Sequence, residues 1–150
     1  MDGVAYRSEA EIVEVVAKFE NCAFRPEEFS HARHLTVASW YVAKYGTEQA
    51  LRRMREGLQG FLAHHGKKMG YHETITRFWL ELIGEALQRM AKQPLPAQVN
   101  EIVARYRDKN VLFVYYTREL VMSEAARNSW IEPDLLSICV SAERSCITKG

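Results

Sequence analysis

Apolar residues recur at three- and four-residue intervals along most of the chain, the period of helices that each bury one face. Ile12, Val15, Val16 and Phe19 share a face behind Ser8 and Glu11, a Ser-x-x-Glu pair of the kind that caps a helix N-terminus. Asn21 and Pro26 end that helix. A loop through Phe24, Pro26 and Phe29 leads to a second helix, from about Ser30 to Tyr45, closed by Gly46. Thr47 caps a third, with Ala50, Leu51, Met54, Leu58, Phe61 and Leu62 on one side and Gly66 as its stop. After a turn from Lys67 to Gly70, a fourth helix spans about His72 to Ala91. Its stripe is Ile75, Trp79, Ile83, Leu87 and Met90, widened by Phe78 and Leu82. Pro94 and Pro96 separate it from a fifth, about Ala97 to Tyr106, with Val99, Ile102, Val103 and Tyr106 inward.

The run from Val111 to Tyr116 is rich in β-formers, but a lone strand would lack a partner, so it reads as a buried helix continuing towards Val121. Ser123 caps a last short helix through Trp130 that ends before Pro133, and the tail after Leu136 shows no period. Short loops between successive helices make antiparallel neighbours. The expected fold is therefore all-α: one compact domain over residues 1–150, a bundle of about five to seven helices with no sheet.

Composition agrees with a globular domain: 47% of residues are hydrophobic and 26% charged, with a formal charge of +1. That balance disfavours a nucleic-acid binder. The densest basic stretch, Arg52, Arg53 and Arg55, is interleaved with Met54 and Glu56 as on a solvated helix face. Met1 to Glu14 lacks the apolar core of a signal peptide, and no run has the length and apolarity of a membrane span. Cys22, Cys139 and Cys146 are odd in number and contain no C-x-x-C pair, a usage that points to reduced thiols and a cytoplasmic location. There is no Rossmann glycine fingerprint, P-loop or G-x-S-x-G elbow, hence no nucleotide-cofactor signature.

Candidate chemistry sits in three segments. In F-S-H-A-R-H-L, His31 and His34 stand at i,i+3 on one helix face. In Y-H-E-T-I-T, His72 and Glu73 open a helix whose dipole favours a neutral imidazole and an ionised carboxylate. If the second and fourth helices run the same way, His31, His34 and His72 come to one end of the bundle. Three readings of them are open. The imidazoles can hold a single divalent metal with a vacant position. Alternatively His34 or His72 moves a proton, with Glu73 or a tyrosine orienting it. Or they are structural, since H-x-x-H is a weak motif and the Glu28–His31 spacing has no second E-x-x-H to make a di-iron set. His64 and His65, closing the third helix, read as structural or solvent-facing.

The third segment, S-E-A-A-R-N-S-W-I-E-P-D-L, is explained by a capped helix stopped at Pro133. Its other reading is an Arg127 fork for a carboxylate or phosphate beside a Trp130 wall. Tyr41 and its aromatic neighbours Trp40 and Tyr45 suit either a core or a pocket wall.

Taken together, the three segments resemble those of a group of small, uncharacterised bacterial helical proteins, over roughly Phe24 to Leu136. The resemblance implies an all-helical fold without a particular activity. It raises the standing of His31, His34, His72, Glu73, Thr76, Arg127 and Trp130 as site positions. The expectation is a small-molecule pocket lined by His31, His34 and His72, with Glu73, Thr76, Tyr41, Arg127 and Trp130 as further contacts. The alternatives are a non-catalytic ligand sensor or a protein-interaction module with structural histidines. Homo-oligomerisation is left open.

Overall fold

Hydroxyl side chains start four of the helices. Ser8, Ser30, Thr117 and Ser123 each accept a hydrogen bond from the amide three residues ahead, satisfying one of the orphan donors of a helix start. In this computed structural model, which describes residues 5–67 and 70–138, the elements are α1 (Glu9–Glu20), α2 (His31–His64), α3 (Glu73–Arg89), α4 (Leu95–Arg105), α5 (Leu112–Tyr115), α6 (Arg118–Val121) and α7 (Glu124–Asn128). Single 3₁₀ turns lie at Pro26–Glu28 and Lys109–Val111. Among the described residues there is no strand, and no helix is long and apolar enough to cross a membrane.

At α1 the capping box is displaced by one residue: Glu11 reaches back to the amide of Arg7, 2.7 Å, rather than to that of Ser8. Within α2, Gly46 sits at φ 83 and ψ 163, a conformation open to glycine, so the element is two helices, 31–45 and 47–64. A straight helix of that length would extend about 50 Å. Instead the Phe61 ring lies 5.4 Å from that of Phe29, so the chain folds back on itself at Gly46. α4 begins at Leu95, earlier than the prolines suggest, because Pro96 falls in its first turn, where a missing N–H removes no helical bond.

The segment after α4 departs most from expectation. The helix predicted to continue from Val111 to Val121 is broken: Tyr116 and Thr117 are extended and part α5 from α6. Thr117 breaks it by bonding twice to Asp134, through its amide at 2.8 Å and its hydroxyl at 2.7 Å. The last helix stops at Asn128, short of Trp130, because Ser129 is extended and its carbonyl accepts from the Thr74 hydroxyl, 2.7 Å. Of the tail beyond Leu136, Ile138 is buried, and residues from Cys139 onward, with Cys146, lie outside the described residues. So do residues 68 and 69 of the turn before α3.

One core cluster joins Ile12 and Phe19 of α1 to Tyr116, Val121 and Ile138 near the other end of the described chain. α3 is its axis. Phe78, Leu80, Leu82, Ile83 and Ala86 are all essentially buried, so the helix is covered on most of its circumference, by α2, α4 and α7.

Candidate functional site

The first turns of α2 and α3 lie side by side, and with Met54, α5 and α6 they enclose a cavity of about 450 Å³. Leu35, Ala38, Met54, Leu80 and Leu112 form buried apolar walls. His31, His34, Ile75, Thr76 and Trp79 are less deeply buried. Lys109, Asn110, Arg118 and Met122 are exposed and so mark the mouth, next to Phe113.

The i,i+3 spacing does bring His31 and His34 to this one cavity. His31 donates from Nε2 to the Tyr106 carbonyl, 2.9 Å, which leaves its Nδ1 as an acceptor in the neutral ring. Its ring meets that of Trp79 edge-on at 5.0 Å. His34 packs its ring 5.0 Å from Phe29 and has no hydrogen-bond partner among the described residues. Burial, assisted by the nearby His31, pushes the His34 pKa down to about 4, and burial also lowers that of His31. Both rings are neutral near pH 7.

His72 is elsewhere. Its Nε2 donates to the Val121 carbonyl, 2.7 Å, and its Nδ1 accepts from the Ile75 amide, 3.1 Å, so the ring is the N-cap of α3 and both nitrogens are occupied. The three-histidine metal centre therefore does not assemble: no three His, Cys, Asp or Glu side chains among the described residues are grouped to hold a metal ion. His72 also does not line the cavity, and its two ring nitrogens are taken up by backbone partners. Thr76, which does line the cavity, donates its hydroxyl to the His72 carbonyl, 2.7 Å.

Glu73 faces away from the cavity into an ion pair. Arg55 grips it through Nε at 3.0 Å and Nη2 at 2.6 Å, and the Tyr71 hydroxyl donates to it at 2.6 Å. The Arg55 contact holds the Glu73 carboxyl below its usual range. Glu73 thus orients neither His34 nor His72. It ties the start of α3 to the second half of α2, a bidentate clamp of the strong kind.

Arg127 and Trp130 do share a cleft, but a different and more open one of about 700 Å³ that also includes Arg55, Gln59, Tyr71 and Glu73. Arg127 donates to the Tyr71 carbonyl at 3.3 Å. Trp130 lies under the Arg77 guanidinium, 4.3 Å from its ring centre, and donates to Glu132 at 3.0 Å. These contacts fasten the C-terminal segment onto α3. Tyr41 is buried in the core and donates to Glu20 at 2.6 Å, so it walls neither cavity. His65 donates to the Phe24 carbonyl, 3.0 Å, as a structural residue would, and His64 is exposed.

Lys109, Phe113 and Arg118 were not among the residues expected to build a site. The signal for them is weak but present. An Asp108-x-Asn110 turn and the Thr117 cap bracket the apolar run, so a short helix flanked by one cation on each side is the alternative to a long one. No protein-family model matches the chain. No curated protein and no solved structure matches it either.

Proposed function

We propose that the protein binds a small molecule in the cavity between α2, α3, α5 and α6, with His31 and His34 presenting neutral imidazoles to it. The observation that carries this is an apolar-walled pocket of about 450 Å³, open at one mouth, lined by a His34 ring without a hydrogen-bond partner among the described residues. Volumes of this order, with few polar groups converging on apolar walls, are typical of ligand sites. Binding is favoured over acid–base catalysis because a histidine with a pKa near 4 is a weak base for proton transfer at neutral pH. A cytoplasmic location fits the half-buried Cys22, which forms no disulfide among the described residues.

Titration with the uncharged fluorophore N-phenyl-1-naphthylamine tests the reading. The expected result is saturable binding at one site, abolished by Ala38→Leu and by Leu80→Phe, which fill the cavity from opposite helices. Thermal melts of both variants check that loss of binding is not loss of fold. Binding that survives in folded variants with the cavity filled would place the ligand elsewhere and end the proposal.

A further inference from the structure

We infer that the ligand is an apolar molecule carrying one anionic headgroup, with Lys109 and Arg118 receiving that group at the mouth; this rests on the small-molecule reading above. The charge inventory of the cavity is one-sided. Among the described residues that line it, two are cationic and none is acidic. Asp108 lies close to His31, but its carboxylate accepts from the Asn110 amide, 2.9 Å, and is not part of the lining.

Five of the other arginines of this chain are paired, whereas Arg33, Arg52, Arg53, Arg89, Arg107 and Arg127 form no ion pair among the described residues. Arg7, Arg25, Arg55, Arg77 and Arg105 each meet a glutamate within 4 Å. Arg118 and Lys109 form no ion pair among the described residues. Arg118 instead lies over the Phe113 ring, its guanidinium 4.3 Å from the centroid. A cation–π contact leaves the positive charge of the guanidinium without a counter-ion, and a guanidinium fork suits a planar oxyanion. Inside the mouth the walls turn apolar, and both imidazoles are uncharged: His31 already donates to the Tyr106 carbonyl, and His34 is a lone neutral ring. A chain of carbon atoms suits the walls formed by Leu35, Ala38, Met54, Leu80 and Leu112, and a single oxyanion suits the rim. An amine headgroup would meet two like charges, and an unfunctionalised hydrocarbon would leave both cations as they are.

The same chemistry is offered by a carboxylate or by a phosphate monoester, so the test uses both. Decanoate, decyl phosphate, 1-decanol and decylamine, each below its micellar concentration, compete with N-phenyl-1-naphthylamine on the full chain. At least one of the two anions is expected to bind roughly tenfold more tightly than 1-decanol, a preference that shrinks with added salt because rim charges are screened. Which anion leads identifies the headgroup. In the Lys109→Ala/Arg118→Ala double variant the preference should vanish, anion and alcohol binding alike. Equal binding of 1-decanol and both anions overturns the inference but leaves the small-molecule site standing, as does tighter binding of decylamine or a preference that survives the double variant. If the fluorophore itself fails to bind, the site and the inference fall together.

Discussion

His72 and Val121 are joined by a 2.7 Å hydrogen bond from the imidazole Nε2 to the backbone carbonyl, and the same ring caps α3 through its Nδ1. A single side chain thus sets the start of the central helix against the end of α6. His72→Ala removes the cap and leaves a buried carbonyl without its donor, which together cost about 1–3 kcal/mol. Urea denaturation should show that loss, while fluorophore affinity of the folded fraction stays close to that of the parent. A variant of full stability that has lost binding would return His72 to the ligand site.

The three histidines make stability depend on pH in a defined direction. The His34 pKa falls from the ordinary 6.5 to about 4 on folding, and those of His31 and His72 are lowered too, each mainly by burial. As pH drops below 6.5 the unfolded chain takes up protons that the folded chain refuses, so the stabilisation is complete above 6.5 and is lost on the way down towards 4. Urea midpoints should therefore fall between pH 7.5 and pH 5, a window above the usual glutamate range. His34→Phe keeps a ring against Phe29 but cannot titrate, and its midpoint should fall less steeply. Parallel slopes for parent and variant would mean that His34 does not resist protonation in the fold.

Local pattern carries much of this structure. The apolar faces of α1, α3 and α4 and the break at Gly46 follow from period and punctuation, and so does the meeting of His31 with His34, which needs only one helix face. What local pattern does not carry depends on partners distant in the chain. Nothing near His72 announces Val121, and nothing near Thr117 announces Asp134, whose two bonds break the long helix expected there. The same holds for Glu73, where a first-turn carboxylate fits a helix dipole or an active site equally well until Arg55 closes on it. Arg118 stands at the cavity mouth directly after that break, as the first residue of α6.

Ser39 is wholly buried in α2, and its hydroxyl has no partner among the described residues. Thr36 on the same helix bonds back to the Ala32 carbonyl at 2.9 Å, a contact Ser39 does not make to its own preceding turn. A desolvated, unpaired hydroxyl is a liability, and alanine is the better helix former. Ser39→Ala is expected to raise stability by about 1 kcal/mol, read as a higher urea midpoint with an unchanged slope. A lowered midpoint would show that the hydroxyl is bonded in solution.

Gly57 and Phe19 give the opposite sign to an ordinarily helpful substitution. In a helix interior Gly→Ala gains about 1 kcal/mol from propensity. A methyl group on Gly57, however, would stand 2.6 Å from one carbon of the Phe19 ring and 2.8 Å from another. That ring cannot step aside, because it is fully buried and stacked on Phe29 with centroids 4.8 Å apart. The close approach of α1 to the second half of α2 thus depends on a missing side chain. Gly57→Ala should cost about 1–3 kcal/mol by overpacking, more than cancelling the propensity gain. Phe19→Leu is destabilising alone, because it gives up ring contacts in the core. Combined with Gly57→Ala it should cost less than the two single losses added together, since the smaller side chain makes room for the methyl. Urea melts of the four proteins in this cycle give the coupling directly. Strict additivity would mean that α1 shifts to accommodate the methyl and that the contact is not tight.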